Sequence, residues 1–296
     1  MGLRVRYRLI CVTAIISCLT AGRRLSAQDQ RAALLAMDRA AANVSSDSGL
    51  PLALGKYLGG AGVLLWPGAP VLIGTDEVLR FTQTRQNSAP ARLTWQPLEI
   101  HLSRDSALGV LWGIALASQR GDSSPPRLGR FISAWQRDSG PWRMVAFLLL
   151  GPAVPADSGP RVDLPLSREP ARRTKPNAAF VDADLAFAHS AKDSGAATAF
   201  RKWAAPDAVT FGGAGILLRG PDAISQAVAG PERWEWHPVV AGGSRSGDLG
   251  WTVGEATIAG SDGVRYSKYL TIWTRDGRGP LRYLLDGGNP RPTVGR

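Results

Sequence analysis

Residues 38–76 reappear at 184–222. At a constant offset of 146, 12 of the 39 positions are identical, among them Asp38/Asp184, Asp47-Ser48-Gly49/Asp193-Ser194-Gly195, Lys56/Lys202, Val63/Val209, Gly74/Gly220 and Asp76/Asp222. The correspondence continues with small gaps through Trp95-Gln96-Pro97/Trp236-His237-Pro238, Ser103-Arg104/Ser244-Arg245, Gly109/Gly250, Gly113/Gly254 and Trp135/Trp273. Self-similarity at a fixed period means two copies of one folding unit. The expected division is a leader at 1–27, a first repeat at 28–151, a Pro-rich linker at 152–178, a second repeat at 179–290 and a tail at 291–296. Each repeat has the size of an ordinary single domain.

The pattern order is the same in both copies. A helix (about 29–46 and 179–192) ends near Asp-Ser-Gly, and a second short helix carries Leu54 and Tyr57, or Phe200 and Trp203, on one face. A third helix starts at Asp76 or after Pro221-Asp222, where Pro suits the first turn and Asp favours the helix dipole. Four longer strands with turn signals between them follow and read as an antiparallel meander. The expected fold is α+β: two tandem cones, each a curved antiparallel sheet wrapped by about three N-terminal helices. In Lys268–Trp273 one face holds Lys268, Leu270 and Ile272 and the other Tyr269, Thr271 and Trp273, so both faces need cover. Helices cover the concave face.

The stretch SGDLGWTVGEATIAGSDGVRYSKYLTIWTRDGRGPLRYLLDGGNP (246–290) resembles the closing strands of the nuclear transport factor 2-like superfamily, in its SnoaL-like, ketosteroid-isomerase-like subgroup. The resemblance covers roughly 30–151 and 179–290 and implies the cone fold, with its convex face packed on a second such sheet; with two copies in one chain the expected partner is the other repeat, in an intrachain pseudo-dimer. It implies no activity, because that fold houses isomerases, cyclases, dehydratases and plain binding modules, and the Tyr and paired-Asp arrangement of ketosteroid isomerases is not matched at its motif positions.

MGLRVRYR followed by LICVTAIISCLTA reads as a bacterial export signal, too short for a spanning helix. Two processing sites compete. Cleavage after Ala27 frees Gln28, which opens directly onto helix-like sequence, whereas Ile15-Ile16-Ser17-Cys18 resembles a lipobox that would lipidate Cys18 and bring the chain to a membrane. Either way the expected location is outside the cytoplasm, periplasmic or secreted, or lipid-anchored in the envelope. The five arginines of residues 1–27 supply five of the formal +11, leaving a dispersed +6 that lacks the basic-aromatic face of a nucleic-acid reader. Both cysteines (Cys11, Cys18) precede the repeats, and His101, His189 and His237 lack ligand spacing, so neither a disulfide framework, nor a metal site, nor a cofactor is expected.

The repeat supplies an internal control for chemistry. Glu255 stands where the first copy has Ile114, and Asp286 where it has Phe147. A carboxylate at a position the fold buries needs a partner or takes a raised pKa, which makes these two the candidates for acid-base work in the second cone. Solvated strand ends, or a cap on the Gly287-Gly288 turn, account for them equally simply. Trp203, Trp234, Trp236, His237, Trp251, Tyr269 and Trp273 are the candidate ligand-binding residues, since aromatic walls suit flat apolar molecules, although plain core packing uses the same side chains. GGAGVLL (59–65) and GGAGILL (212–218) lack phosphate-loop spacing. The expected function is an exported protein that binds a small, largely apolar molecule in the second cone. An isomerase, cyclase or dehydratase-type enzyme and a structural module with filled pockets are the alternatives.

Overall fold

The computed structural model describes residues 26–88, 91–119, 121, 123–151, 177–211 and 216–292. Residues 1–25 of the leader, with Cys18, residues 152–176 of the linker and the last four residues lie outside them. The first repeat runs α1 (Ala27–Ser48), α2 (Leu50–Tyr57), β1 (Leu58–Leu65), β2 (Leu72–Ile73), α3 (Thr75–Ser88), β3 (Ala91–Leu102), β4 (Leu108–Gln119), β5 (Arg127–Gln136) and β6 (Arg143–Leu150). The second repeats the order: α4 (Ala178–Ser194), α5 (Ala196–Trp203), β7 (Ala204–Phe211), β8 (Leu217–Arg219), α6 (Pro221–Ala227), β9 (Arg233–Gly243), β10 (Leu249–Gly260), β11 (Gly263–Thr274) and β12 (Arg282–Pro290).

The strands form two six-stranded sheets, ordered β2-β1-β6-β5-β4-β3 and β8-β7-β12-β11-β10-β9. The four long strands of each make the expected meander, but the sheets are mixed rather than antiparallel throughout. β1 joins β6 in parallel (Val63↔Ala146, Leu64↔Phe147), as β7 joins β12 (Leu285↔Val209, Asp286↔Thr210). Parallel neighbours need a long crossover connection, and α3 with β3–β5, or α6 with β9–β11, provides it.

Two glycine pairs shared by the repeats shape the cone. A Cβ on Gly109 would lie 2.2 Å from Leu34 of α1, and one on Gly250 would lie 2.5 Å from Phe180 of α4, so these glycines let the long helix seat against the sheet. A Cβ on Gly113 would meet the Gln96 carbonyl at 2.0 Å, and one on Gly254 the His237 carbonyl at 2.2 Å. Both lie where the strand register shifts beside Pro97 and Pro238. These bulges bend the sheet.

The convex faces pack against each other within the chain. One apolar cluster joins Val63, Leu65, Ile132 and Leu148 of the first sheet to Val253, Leu270, Ile272 and Leu285 of the second, and the Trp112 and Phe211 rings meet edge-on at 5.6 Å. A separate cluster (Leu34, Leu54, Trp95, Phe131, Trp135, Phe147) fills the interior of the first cone. Polar contacts fix the pairing. The Arg104 N–H donates to Asp248 and the Ser246 N–H to Asp105, each at 3.0 Å, a near-reciprocal exchange between matching turns. The buried Asn289 amide donates to the carbonyls of Leu65 (2.9 Å) and Leu149 (2.8 Å) across the interface. Replacing it removes two buried hydrogen bonds across the interface, so Asn289→Ala is expected to lower stability by about 1–3 kcal/mol in chemical denaturation.

Candidate functional site

Both cones share a buried aspartate on the long helix. Asp38 accepts hydrogen bonds from Trp95 Nε1 (3.0 Å), Ser133 Oγ (3.1 Å) and Trp135 Nε1 (3.1 Å). Asp184 accepts from Trp236 Nε1 (3.1 Å), Tyr269 Oη (2.9 Å) and the Thr252 hydroxyl. Burial pushes both carboxyls up to about 7 against the pull of these donors. Each ties helix to sheet, which explains the repeated aspartate and tryptophans.

The cones differ at the residues facing their helices. In the first, Ser133 pairs with Phe147 and Phe131 with Leu149. At the equivalent places in the second, Thr271 pairs with Asp286 and Tyr269 with Gly288. Phe147 lies 5.0 Å from the Trp95 ring and 5.9 Å from Phe131, filling the first cone. What is left near its mouth, at Leu50, Trp66, Thr82 and Arg85, is a crevice of about 30 Å³. Exchanging Phe for Asp and Leu for Gly removes that plug from the second cone. The roof is shorter too: α3 has 14 residues and α6 has 7, followed closely by Gly230-Pro231.

The result is a cavity of about 620 Å³ in the second cone, within the range of small-molecule sites. Trp234, Trp236, Phe187 and Phe200 form its aromatic wall, with Phe187 4.8 Å from Trp236 and Phe200 5.7 Å from Trp234. Tyr269, Thr271 and Asp286 give it a polar patch. Thr271 Oγ1 donates to Asp286 Oδ1 at 2.5 Å, and burial nevertheless pushes the Asp286 carboxyl up to about 6. At the rim Arg265 pairs with Glu232 at 2.5 Å.

Of the residues singled out in the sequence, Asp286, Trp234, Trp236 and Tyr269 line this cavity. Trp273 lies beneath it, fully buried, donating to Thr252 Oγ1 at 2.9 Å, and Trp203 packs on Phe187 and Trp273 outside the wall. Glu255, His237 and Trp251 are turned away. Glu255 is paired with Lys268 and His237 in the sheet, and Trp251 with Ile272, which places all three on the convex side with Leu270. Glu255 there meets Arg291 at 3.4 Å with both side chains buried, whereas His237 is exposed. Glu255 therefore takes no part in cavity chemistry. Trp234 and Trp236, two residues apart on β9, share the cavity face as strand alternation expects, whereas Thr271 and Gly288 required the register.

Among the described residues no group of three or more His, Cys, Asp or Glu could hold a metal ion, and no helix is long and apolar enough to cross a membrane. No family model and no curated protein matches the chain. Solved structures do. A ketosteroid isomerase-like protein from Erwinia carotovora atroseptica is 12% identical, covering 41% of this chain and 95% of its own at a TM-score of 0.34. An NTF2-like protein of unknown function from Pseudomonas putida KT2440 is 12% identical, covering 47% and 97% at 0.36. A putative dehydratase of the NTF2-like family from Streptomyces avermitilis is 16% identical, covering 41% and 96% at 0.33. The chain is similar in fold to NTF2-like and ketosteroid isomerase-like proteins, with its two α+β cones in tandem.

Proposed function

We propose that this chain is an exported binding protein whose second cone takes up a small, largely apolar molecule. One observation carries the reading: of two copies of the same cone, one is filled by its own aromatics and the other is open over an aromatic wall. Buried apolar volume left empty forfeits packing energy, so a chain that already holds a filled version of this cone keeps the open one at a cost in stability, as functional sites commonly do. The test is titration with the neutral fluorophore N-phenyl-1-naphthylamine. Saturable enhancement at one equivalent, lost in Gly288→Leu, supports the reading; enhancement that never saturates, or that Gly288→Leu leaves unchanged, overturns it.

Acid-base catalysis is the second reading, favoured by Asp286. Its carboxyl is pushed up to about 6, close to the working range of a general base. Turnover of an isomerase or dehydratase substrate would then rise with pH through about 6 and disappear in Asp286→Asn with binding retained.

The proposed organisation keeps the leader at 1–27, the repeats at 28–151 and 179–290, and the linker at 152–178. The N-terminus of α1 bears on processing. Ser26 caps the helix in a reciprocal box with Asp29, and cleavage after Ala27 would remove that cap whereas lipidation at Cys18 would keep it. The intact mass of the protein from an envelope fraction distinguishes a Gln28 start from a lipidated Cys18, and a full-length Met1 form in the cytoplasm overturns export.

A further inference from the structure

We infer that the molecule taken by the second cone carries a protonated amine, on a flat hydrocarbon body, and that the amine docks on Asp286. This rests on the proposal that the cone is a binding site and names the chemistry of what it binds.

Asp286 is a carboxylate in a cavity whose other walls are mostly rings and aliphatic carbon. Burying an ionised carboxyl is costly unless a positive charge or several donors compensate it. Here the chain supplies one donor, the Thr271 hydroxyl. The groups around it add no positive charge. β11 presents Thr271 and Tyr269, whose hydroxyl is given to Asp184; β7 presents Thr210; β12 itself presents Tyr283, whose hydroxyl is given to the Phe200 carbonyl; and α4 presents Asp184, a second acid. Arg265, the cation lining the same cavity, is engaged by Glu232 at the rim, and Lys268 sits on the opposite face of the sheet, donating to the Pro290 carbonyl at 2.9 Å. The cavity thus has an acid at its polar patch, a second acid behind its wall, and a cation already neutralised at its edge.

An ammonium group fits these needs. It donates to the free lone pairs of Asp286, neutralises the charge, and meets the faces of Trp234, Trp236 and Tyr269, which attract cations through their ring quadrupoles. A carboxylate ligand would be repelled by Asp286 and Asp184. A neutral hydrocarbon would leave the carboxyl buried without a partner. The first cone is the contrast: where its counterpart has Phe147, no charge needs answering.

The experiment displaces N-phenyl-1-naphthylamine with three isosteric probes, 2-(2-naphthyl)ethylamine, 2-propylnaphthalene and 3-(2-naphthyl)propanoate, at pH 7.5. The amine is expected to bind at least tenfold more tightly than the hydrocarbon, and the carboxylate most weakly. In Asp286→Asn, with each probe referred to the dye affinity measured for that variant, the amine's advantage over the hydrocarbon should shrink to within about twofold. A second measurement needs no variant. Because burial pushes Asp286 up to about 6, the amine's advantage in the wild type should fall as pH is lowered from 7.5 to 5, the amine staying charged throughout. If the dye binds and the amine shows no advantage, or keeps it in Asp286→Asn or at pH 5, this inference is wrong while the binding site stands. If the dye itself does not bind saturably, the binding proposal fails and this one with it.

Discussion

Asp286→Phe combined with Gly288→Leu is expected to close the second cone, abolish binding of N-phenyl-1-naphthylamine and raise the melting temperature. The two substitutions copy Phe147 and Leu149, the residues that stand at the same register positions in the filled cone. Binding is lost because the new side chains occupy the volume between Thr271, Tyr269 and the aromatic wall. The protein is stabilised because a partly desolvated carboxyl is removed and two apolar side chains are buried, each worth about 1.5–3 kcal/mol. Imperfect fit takes back about 1–3 kcal/mol: Trp236 repeats Trp95, but Tyr269 stands where the first cone has Phe131, and a Cβ on Gly288 would lie 2.9 Å from the Lys268 carbonyl, so the strand must shift to take the leucine. A net gain of about 2 kcal/mol shifts the midpoint of a chain this size upward by roughly 4–8 °C. The reverse exchange, Phe147→Asp with Leu149→Gly, removes a fully buried ring from a tight cluster and is expected to cost at least about 3–5 kcal/mol. Calorimetry on both variants, with dye titration of the first, checks the pair. Unchanged dye binding in the doubly filled cone would mean that the molecule binds elsewhere.

Glu255→Ile would be a poor addition to that variant. The sequence presents Glu255/Ile114 and Asp286/Phe147 as equivalent exchanges of carboxylate for apolar side chain, and the structure separates them. Alternation assigns faces within a strand, as it does for Lys268, Leu270 and Ile272 against Tyr269, Thr271 and Trp273, but it does not say which face of one strand continues which face of the next. That follows from register, Glu255 opposite Lys268 and Thr271 opposite Asp286, set by bulges and turns that no single-strand pattern contains. Glu255 consequently belongs to the convex side with Arg291, and removing it would strand a buried guanidinium.

The repeat itself was legible because its identities sit where the fold tolerates little: Gly109 and Gly250 under the long helix, Gly113 and Gly254 at the bulge, Asp38 and Asp184 beneath the tryptophans. The opening of the second cone was only half legible. Asp286 stands out as a charge among apolar neighbours. Gly288 reads as part of a terminal Gly-Gly turn, although in the structure it is a strand residue opposite Tyr269, and its missing side chain is as much a part of the cavity as the carboxyl. The parallel join of β1 to β6 escaped for a related reason, since a strand separated from its neighbour by a helix and four strands leaves no local pattern of pairing.

Stability should fall, not rise, as pH is raised from about 4 to 7, by a part that belongs to Asp38 and Asp184. Burial lifts both carboxyls from 3.8 to about 7 in the folded chain. Between those values the folded state holds protons that the unfolded state has released, so raising the pH drives unfolding; each contribution is complete below about pH 4 and gone above about 7. A shift of this size corresponds to a few kcal/mol per site. His101 works in the opposite sense below about 6.5, because burial lowers its pKa in the folded chain, so that its contribution grows as the pH rises toward that value. The measurement is therefore the difference between wild type and Asp38→Asn in chemical denaturation from pH 4.5 to 7.5. The amide keeps the oxygen that receives Ser133 and Trp135 but turns an N–H₂ toward Trp95 Nε1 where the carboxyl has Oδ2. Asp38→Asn is accordingly expected to be less stable than wild type by about 1–3 kcal/mol at pH 5. It should close the gap, or reverse it, by pH 7.5, where wild type bears the cost of a buried negative charge and the amide does not. A gap that stays constant across the window would show that Asp38 keeps one protonation state throughout, held ionised by its three donors against the desolvation that surrounds it.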